Sequence, residues 1–177
     1  HRANGFTTNG GYAQYVINHV NTLYPLPDWV SFEEASLVTN LGCVLYGFET
    51  IGGYIVGDQV AVIGPGPLGL ISVQVAKALC AGKVFLVGTR PSRLHLGESL
   101  GADRIIDVHQ EDPVKMVLEE THGRGADLVV ESSGNAQGVQ MAIPMVKRMG
   151  KILQLGIPDD SVPVDFSSLC KDNKSIH

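Results

Sequence analysis

A glycine-rich segment is the part of the sequence whose residue types and spacing most directly imply chemistry. It consists of Gly64, Pro65, Gly66, Pro67, Leu68 and Gly69, and so matches the pattern G-x-G-x-x-G. An apolar run of strand length ends at Ile63, and an amphipathic segment of helical length follows. In that context the first glycine permits a tight turn, the second lets backbone N–H groups approach a pyrophosphate, and the third brings the helix close to the strand.

The predicted helix start is itself suited to binding phosphate. Free N–H groups and the positive end of the helix dipole favour negative charge at a helix N-terminus. The alternative is a strand-to-helix turn without a ligand, and the flanking pattern favours the phosphate site.

The residues about 20 positions after the glycine motif bear on which dinucleotide binds, because NAD sites commonly carry an acidic residue there for the ribose 2′-hydroxyl. Gly88 holds this position, followed by Thr89 and Arg90, with Arg93 one turn further on. A carboxylate would repel a 2′-phosphate, whereas glycine leaves room for it and arginine can bind it with two parallel hydrogen bonds. The sequence therefore favours NADP(H), with NAD possible. The alternative is that both arginines are solvated side chains at a helix start.

Two further segments end apolar runs of strand length, those of the fourth and fifth predicted strands. They contain Ser132 and Gly134 in the first case, and Leu155, Gly156 and Ile157 in the second. In open α/β folds, ligands bind outside the carboxyl ends of the strands. Both segments could therefore line the nicotinamide half of the site, and the alternative for each is an ordinary turn at a strand end.

Strand-length apolar runs that alternate with helix-length amphipathic segments must position these residues. Strands are predicted at residues 59–63, 84–87, 104–107, 128–131 and 151–156. Helices are predicted at residues 67–79, 91–100, 113–121 and 136–148. This alternation predicts an α/β fold of the Rossmann type, a doubly wound parallel sheet covered on both faces.

The preceding residues have a different pattern. Residues 11–17 alternate as in a strand, and Pro25 and Pro27 favour an extended connection. Ser31 with Glu34 three positions on forms a capping box, which predicts a helix through about residue 39, and a second helix is predicted over 41–51. We expect a short β/helical segment over residues 1–38 and the nucleotide-binding domain over 39–177.

Composition and charge limit the class of protein. The 177 residues are 44% hydrophobic and 18% charged, and 18 Asp and Glu outnumber 13 scattered Lys and Arg, so nucleic acid is not an expected partner. The longest uncharged stretches fall short of the roughly 20 apolar residues of a membrane span, and residues 1–5 lack the apolar region typical of a signal peptide. We expect a soluble cytoplasmic protein. The three cysteines lie far apart, which argues against a disulfide framework or a C-x-x-C zinc site.

These motifs together resemble the medium-chain dehydrogenase/reductase family, in its zinc-type alcohol, sorbitol and threonine dehydrogenase branch. The segments that carry the resemblance are residues 10–16, 26–35, 57–69, 100–103, 125–134 and 150–156. The resemblance implies that residues 1–38 are the end of a GroES-like catalytic domain. It also implies an oxidoreductase that transfers hydride between NADP(H) and a small-molecule alcohol or carbonyl. NADP-preferring members resemble this chain in having Gly-Ser/Thr-Arg where NAD-dependent members have Asp.

The chain departs from the family pattern at the metal. The resemblance places a Cys, Asp or Glu zinc ligand at the position of Thr39, whose hydroxyl is a poor zinc ligand. Cys43 lies one helical turn away and could substitute only if the register slips. The other ligands and the structural-zinc lobe are not in this sequence. We therefore expect that these residues hold no metal, that the chain alone has negligible turnover, and that zinc use by the parent protein stays open.

Two alternatives remain for the parent protein: a zinc-free reductase of the quinone or enoyl type, and a nucleotide-binding module without chemistry. The resemblance also leads us to expect a piece of a longer, homo-oligomeric protein whose sixth strand is cut short. Tyr12, Tyr15 and residues 41–46 would then expose apolar surface and favour self-association.

Overall fold

The computed structural model describes residues 4–5, 7–53 and 55–177. The chain divides into two compact units, residues 1–36 and residues 37–177. This division lies two residues before the predicted boundary at 38/39, and the origin of the first unit in a catalytic domain stays a prediction. Within the described ranges, no helix combines the length and apolarity that a membrane crossing requires.

The described residues of the first unit contain little regular structure, namely a 3-10 turn at Val20–Thr22 and the one-turn helix α1 at Phe32–Ala35. The predicted capping box is present, because Glu34 N donates to Ser31 Oγ at 3.2 Å and Ser31 N donates to Glu34 Oε2 at 2.9 Å. The strand predicted over residues 11–17 is wrong, since these residues form bends and loop. Alternation alone makes no strand without a partner for the backbone.

The second unit is built on one parallel sheet. Its strands are β1 Gln59–Ile63, β2 Lys83–Gly88, β3 Arg104–Asp107, β4 Ala126–Glu131, β5 Val146–Gln154 and β6 Ser175–Ile176. Its helices are α2 Val38–Thr50, α3 Pro67–Ala78, α4 Pro91–Ser99, α5 Pro113–Glu120, α6 Ala136–Met145 and α7 Phe166–Lys171. The strand order is β3-β2-β1-β4-β5-β6, with all pairings parallel. This order confirms the predicted doubly wound Rossmann-type fold.

Both faces of the sheet are buried, which explains why its strands appear in the sequence as continuous apolar runs. In β1, Val60 and Val62 belong to one core cluster, which includes Phe48 of α2. Ala61 and Ile63 belong to the other, which lies on the opposite face with side chains of α5 and α6. Successive residues point to opposite faces because the side-chain period of a strand is two.

The main error of the sequence prediction lies at the junction between α6 and β5. The helix predicted over 136–148 ends at Met145, and the strand predicted over 151–156 runs instead over Val146–Gln154. Lys147 and Arg148 resemble the polar face of a helix, but they lie at the start of β5, beside a register shift in its pairing with β4. Helix α1 and helix α2 also break at residues 36–37, where one helix was expected through residue 39. The predicted bounds of β1 and β3 are confirmed, and those of β2 and β4 differ by at most two residues.

An ion-pair network joins β2, β3 and α5 away from the glycine turn. Glu120 Oε2 lies 2.5 Å from Lys83 Nζ, Glu120 Oε1 lies 3.1 Å from Arg104 Nε, and Arg104 Nη2 lies 2.6 Å from Glu111 Oε1. The hydrogen bond from Lys83 lowers the pKa of the Glu120 carboxyl below its ordinary value of 4.5, partial burial opposes this, and Arg104 adds to the lowering. The carboxylate form of Glu120 therefore stabilises the fold.

We expect Glu120→Gln to lower the free energy of unfolding by roughly 1 kcal/mol near neutral pH, a value limited by solvent screening of a partly exposed network. Because the folded state has the lower pKa, this contribution is present above 4.5 and is lost as the pH falls through the folded pKa. Urea unfolding at several pH values measures it. The matched control is Glu119→Gln, whose side chain is 56% exposed and 3.8 Å from Lys115. A Glu120→Gln effect that equals the control, or that persists unchanged at acidic pH, would contradict this account.

Candidate nucleotide-binding site

A cleft of about 270 Å³ lies at the carboxyl ends of the central strands. The predicted residues that line it are Gly64, Gly66, Gly88, Thr89, Arg90, Arg93 and Ser132. The chain order of the strands reverses between β1 and β4, so the cleft lies at the topological switch point, where open α/β sheets bind ligands. Lining residues that the sequence analysis did not assign include Ser133, Asn135 and Gln137.

The three motif glycines face different surroundings. Gly64 has φ +99°, and a Cβ there would lie 2.7 Å from the backbone nitrogen of Ser133. A Cβ on Gly69 would lie 1.9 Å from the carbonyl oxygen of Gly64, so the helix touches the turn through backbone atoms. A Cβ on Gly66 would meet no atom within 4 Å, because this residue faces open space. The turn and the close helix packing thus require Gly64 and Gly69, while Gly66 leaves the cleft accessible.

Helix α3 begins directly at this turn. Gly66 is its N-cap and makes no side-chain capping bond, and Pro67 occupies the first helical turn, where its missing N–H costs no hydrogen bond. The first N–H groups of a helix have no partner within it. The side chains of Pro67 and Leu68 do not line the cleft. Pro67, Leu68 and Gly69 therefore contribute the start of α3 and do not form a wall of the cleft.

The end of β2 supplies the positive charge of the cleft. Arg90 is the N-cap of α4 and Arg93 lies in its first turn, and both side chains are exposed. Neither guanidinium has an ion-pair or hydrogen-bonding partner among residues 4–5, 7–53 and 55–177. A Cβ on Gly88 would lie 2.5 Å from Pro65 Cδ. Packing against Pro65 thus accounts for this glycine, and a phosphate site here depends on the arginines and Thr89.

Ser132 holds the glycine turn against β4. Its Oγ lies 2.8 Å from the carbonyl oxygen of Ile63 and 2.9 Å from that of Gly64. Because the hydroxyl is directed at the turn, Ser132 fixes the position of the turn as well as lining the cleft.

Gly134 and residues 155–157, which were predicted to lie on the nicotinamide side, are in two loops that contact each other. Gly134 has φ +68°, and a Cβ on Gly156 would lie 2.3 Å from the Gly134 nitrogen, so the loops after β4 and β5 are in backbone contact. Leu155 N donates to the Glu131 carbonyl oxygen at 2.8 Å, and Ile157 is exposed. The cleft is not lined by Gly134, Leu155, Gly156 or Ile157. Residues 155–157 follow β5 rather than ending it.

Glu131 is a functional candidate that the sequence analysis did not assign. It is the last residue of β4, its exposed fraction is 0%, and its carboxylate accepts hydrogen bonds from the loop after β4 and from Gln154, the last residue of β5. The available signal was an acidic residue at the end of an otherwise apolar run, which indicates a carboxyl group buried at a strand terminus.

The metal position expected from the family resemblance offers little to a metal ion. Thr39 lies in the first turn of α2 and is exposed, as is Cys43 one turn on. In the part of the chain that the structure describes, no group of three or more His, Cys, Asp or Glu residues could hold a metal ion. These residues do not fit a zinc site.

The strand order, the glycine turn at the switch point and the adjoining helix start define an α/β domain of the Rossmann type. A family model described as zinc-binding dehydrogenase matches residues 67–177. The chain belongs to this family.

Comparisons with individual proteins agree. The chain is 34% identical over 167 residues to D-arabitol-phosphate dehydrogenase of Enterococcus avium, covering 93% of this chain and 47% of that protein. It is 35% identical over 164 residues to L-threonine 3-dehydrogenase of Bacillus licheniformis, with the same two coverages. The chain thus spans about half the length of these curated relatives.

Solved structures show the same relationship. The alcohol dehydrogenase of Thermus sp. ATN1 matches with a TM-score of 0.79 and 35% identity over 87% of this chain and 45% of that one. A structure from Sinorhizobium meliloti 1021, described as a zinc-binding dehydrogenase bound to NADP, matches with a TM-score of 0.89 and 26% identity. It covers 99% of this chain and 52% of that one.

The glycine geometry predicts different effects on stability for two alanine substitutions. We expect Gly69→Ala to lower the free energy of unfolding by about 2–3 kcal/mol, because its Cβ would overlap the Gly64 carbonyl oxygen. We expect Gly66→Ala to leave stability within about 0.5 kcal/mol, since its φ of −85° suits alanine and its Cβ meets nothing. Urea unfolding of both variants measures the difference. Equal losses would show that the close approach at Gly69 does not constrain the fold.

Proposed function

We propose that this chain is the coenzyme-binding part of an NADP(H)-dependent oxidoreductase that interconverts an alcohol and a carbonyl by hydride transfer. The observation that carries the proposal is the cleft at the switch point, where an open glycine turn and helix start stand beside two unpaired arginines. The family match and the dehydrogenase relatives support the reaction class.

The residues present suit a dinucleotide in three places. The turn at Gly64 and Gly66 with the start of α3 would hold the pyrophosphate. Arg90 and Arg93, with Thr89, would hold the adenosine side. The loops after β4 and β5 would lie on the nicotinamide side. The bound nicotinamide would supply the carbon that gives or takes hydride, while the protein orients it and excludes competing reactions.

The charge distribution supports NADP(H) over NAD(H). No acidic side chain lines the described cleft, although an NAD site commonly carries one for the ribose hydroxyls. Asp107 is the last residue of β3 and pairs with Gly88 in the sheet. Its carboxylate accepts a hydrogen bond from His109 N at 2.9 Å within its own turn. Two free guanidinium groups favour a phosphate dianion. The NADP-bound relative is consistent with this assignment.

The choice among reaction classes depends on the relatives. These relatives are dehydrogenases of alcohols, sugar alcohols and threonine, which supports alcohol–carbonyl chemistry over the quinone or enoyl reductase alternative and over a module without chemistry. Any zinc in the whole protein would need ligands beyond those described in this chain.

Self-association is a further part of the proposal. Leu45 and Tyr46 of α2 are 49% and 69% exposed, and Leu41 and Val38 on the same helix are also exposed. Apolar surface of this kind favours association. Multi-angle light scattering should give a mass above the 18.9 kDa of one chain. A monomer at high concentration would argue against this part.

Parallel calorimetric titrations with NADP⁺ and NAD⁺ test the coenzyme. We expect NADP⁺ to bind more tightly, and Arg90→Ala to weaken NADP⁺ binding about 10- to 100-fold while leaving NAD⁺ binding unchanged, because a charged hydrogen bond to phosphate contributes roughly 1.5–3 kcal/mol. The matched control is Arg148→Ala, which removes an arginine that is 80% exposed at the start of β5.

The outcomes separate the parts of the proposal. Equal affinity for both dinucleotides in the unmutated chain would contradict the 2′-phosphate site and leave the proposed dinucleotide site standing. If neither dinucleotide binds, both parts of the proposal are wrong. A loss of NADP⁺ binding in Arg148→Ala as large as in Arg90→Ala would show a non-specific charge effect.

A further inference from the structure

The carboxylate of Glu131 is buried without a cation. Its exposed fraction is 0%, and no lysine, arginine or histidine pairs with it among residues 4–5, 7–53 and 55–177. Removing a carboxylate from water is costly unless hydrogen bonds replace the lost solvation. Neutral donors from the loop after β4 and from the end of β5 must therefore account for its position.

Four donors surround the two carboxylate oxygens. Oε1 accepts from Ser133 N at 2.8 Å and from Ser133 Oγ. Oε2 accepts from Gln154 Nε2 at 2.6 Å and from Gly134 N at 3.3 Å. This arrangement matches the acceptor-only chemistry of a carboxylate, and a neutral amide at this position could not accept from all four.

Glycines enclose the carboxylate. A Cβ on Gly138 would lie 2.7 Å from Glu131 Oε1, and a Cβ on Gly156 would lie 2.5 Å from Oε2. The main chain of Glu131 adds two further bonds, since its carbonyl oxygen accepts from Leu155 N at 2.8 Å and from Gly156 N at 2.9 Å. Gln154 Nε2 also lies 2.7 Å from the Gly156 carbonyl oxygen.

We propose that Glu131 is a positioning residue that locks residues 132–134 and residues 154–156 into one fixed wall for the nicotinamide half of the coenzyme. The carboxylate joins the loop after β4 to Gln154 at the end of β5, and Ser132, between Glu131 and Ser133, holds the glycine turn. Its position thus links the loops of β4 and β5 to the pyrophosphate turn. The inference rests on the proposed coenzyme function and assigns a role to a residue that does not itself line the cleft.

The test compares NADP⁺ with 2′-phospho-ADP-ribose, which keeps the phosphates and lacks the nicotinamide. For Glu131→Gln we expect a roughly tenfold loss of NADP⁺ affinity and an affinity for 2′-phospho-ADP-ribose within about twofold of the unmutated chain, because only the nicotinamide wall loosens. Gln154→Leu removes one donor, keeps the buried carboxylate with its other partners, and should likewise weaken NADP⁺ binding more than the binding of 2′-phospho-ADP-ribose. Gln140→Leu, at an exposed position on α6, is the matched control and should change neither.

Hydrogen exchange on the ligand-free chain supplies a second readout, independent of coenzyme. Exchange should rise in residues 132–134 and 154–157 of Glu131→Gln and stay unchanged in β1 and β2. The positioning role would be overturned if Glu131→Gln weakened the binding of both ligands equally, or if exchange in residues 132–134 and 154–157 did not change. Faster exchange with an unchanged ratio of the two affinities would overturn it as well. An unmutated chain that binds NADP⁺ no better than 2′-phospho-ADP-ribose would overturn it while sparing the proposed dinucleotide site, and one that binds neither would overturn both.

Discussion

The backbone contact between helix α3 and the turn after β1 is the constraint on which the rest of the site depends. Gly69 approaches the carbonyl oxygen of Gly64 so closely that no side chain fits between them. The contact fixes where α3 begins and therefore where its free N–H groups are presented. Ser132 completes the arrangement from the other side, because its hydroxyl lies within hydrogen-bonding distance of the carbonyl oxygens of Ile63 and Gly64. The position of the helix start thus depends on main-chain geometry, which small residues permit.

The charged side chains divide into two groups with different roles. Lys83, Arg104 and Glu120 neutralise one another where β2, β3 and α5 meet, and their contribution is to stability. Arg90 and Arg93 have no such partners in the described chain and stand at the mouth of the cleft. Since both are exposed, leaving them unpaired costs little in the empty protein, and their charge remains available to an anionic ligand.

Much of the fold followed from local pattern. Continuous apolar runs indicated strands buried on both faces, and Ser31 with Glu34 gave a capping box that the structure contains. The glycine spacing predicted the tight turn between β1 and α3. The sequence pattern misled where polar residues such as Lys147 and Arg148 extend a helical pattern into β5, because the end of α6 is decided by strand pairing with β4.

The sequence by itself determined the succession of strands and helices along the chain, the glycine turn and the two arginines that follow β2. Each of these features depends on residues that are close along the chain. Only the tertiary structure decided that Gly88 packs against Pro65, and that Glu131 is buried among donors that include Gln154, 23 positions away. Such contacts join residues on different strands and loops. Their energies depend on distances that folding sets, and no local periodicity records them.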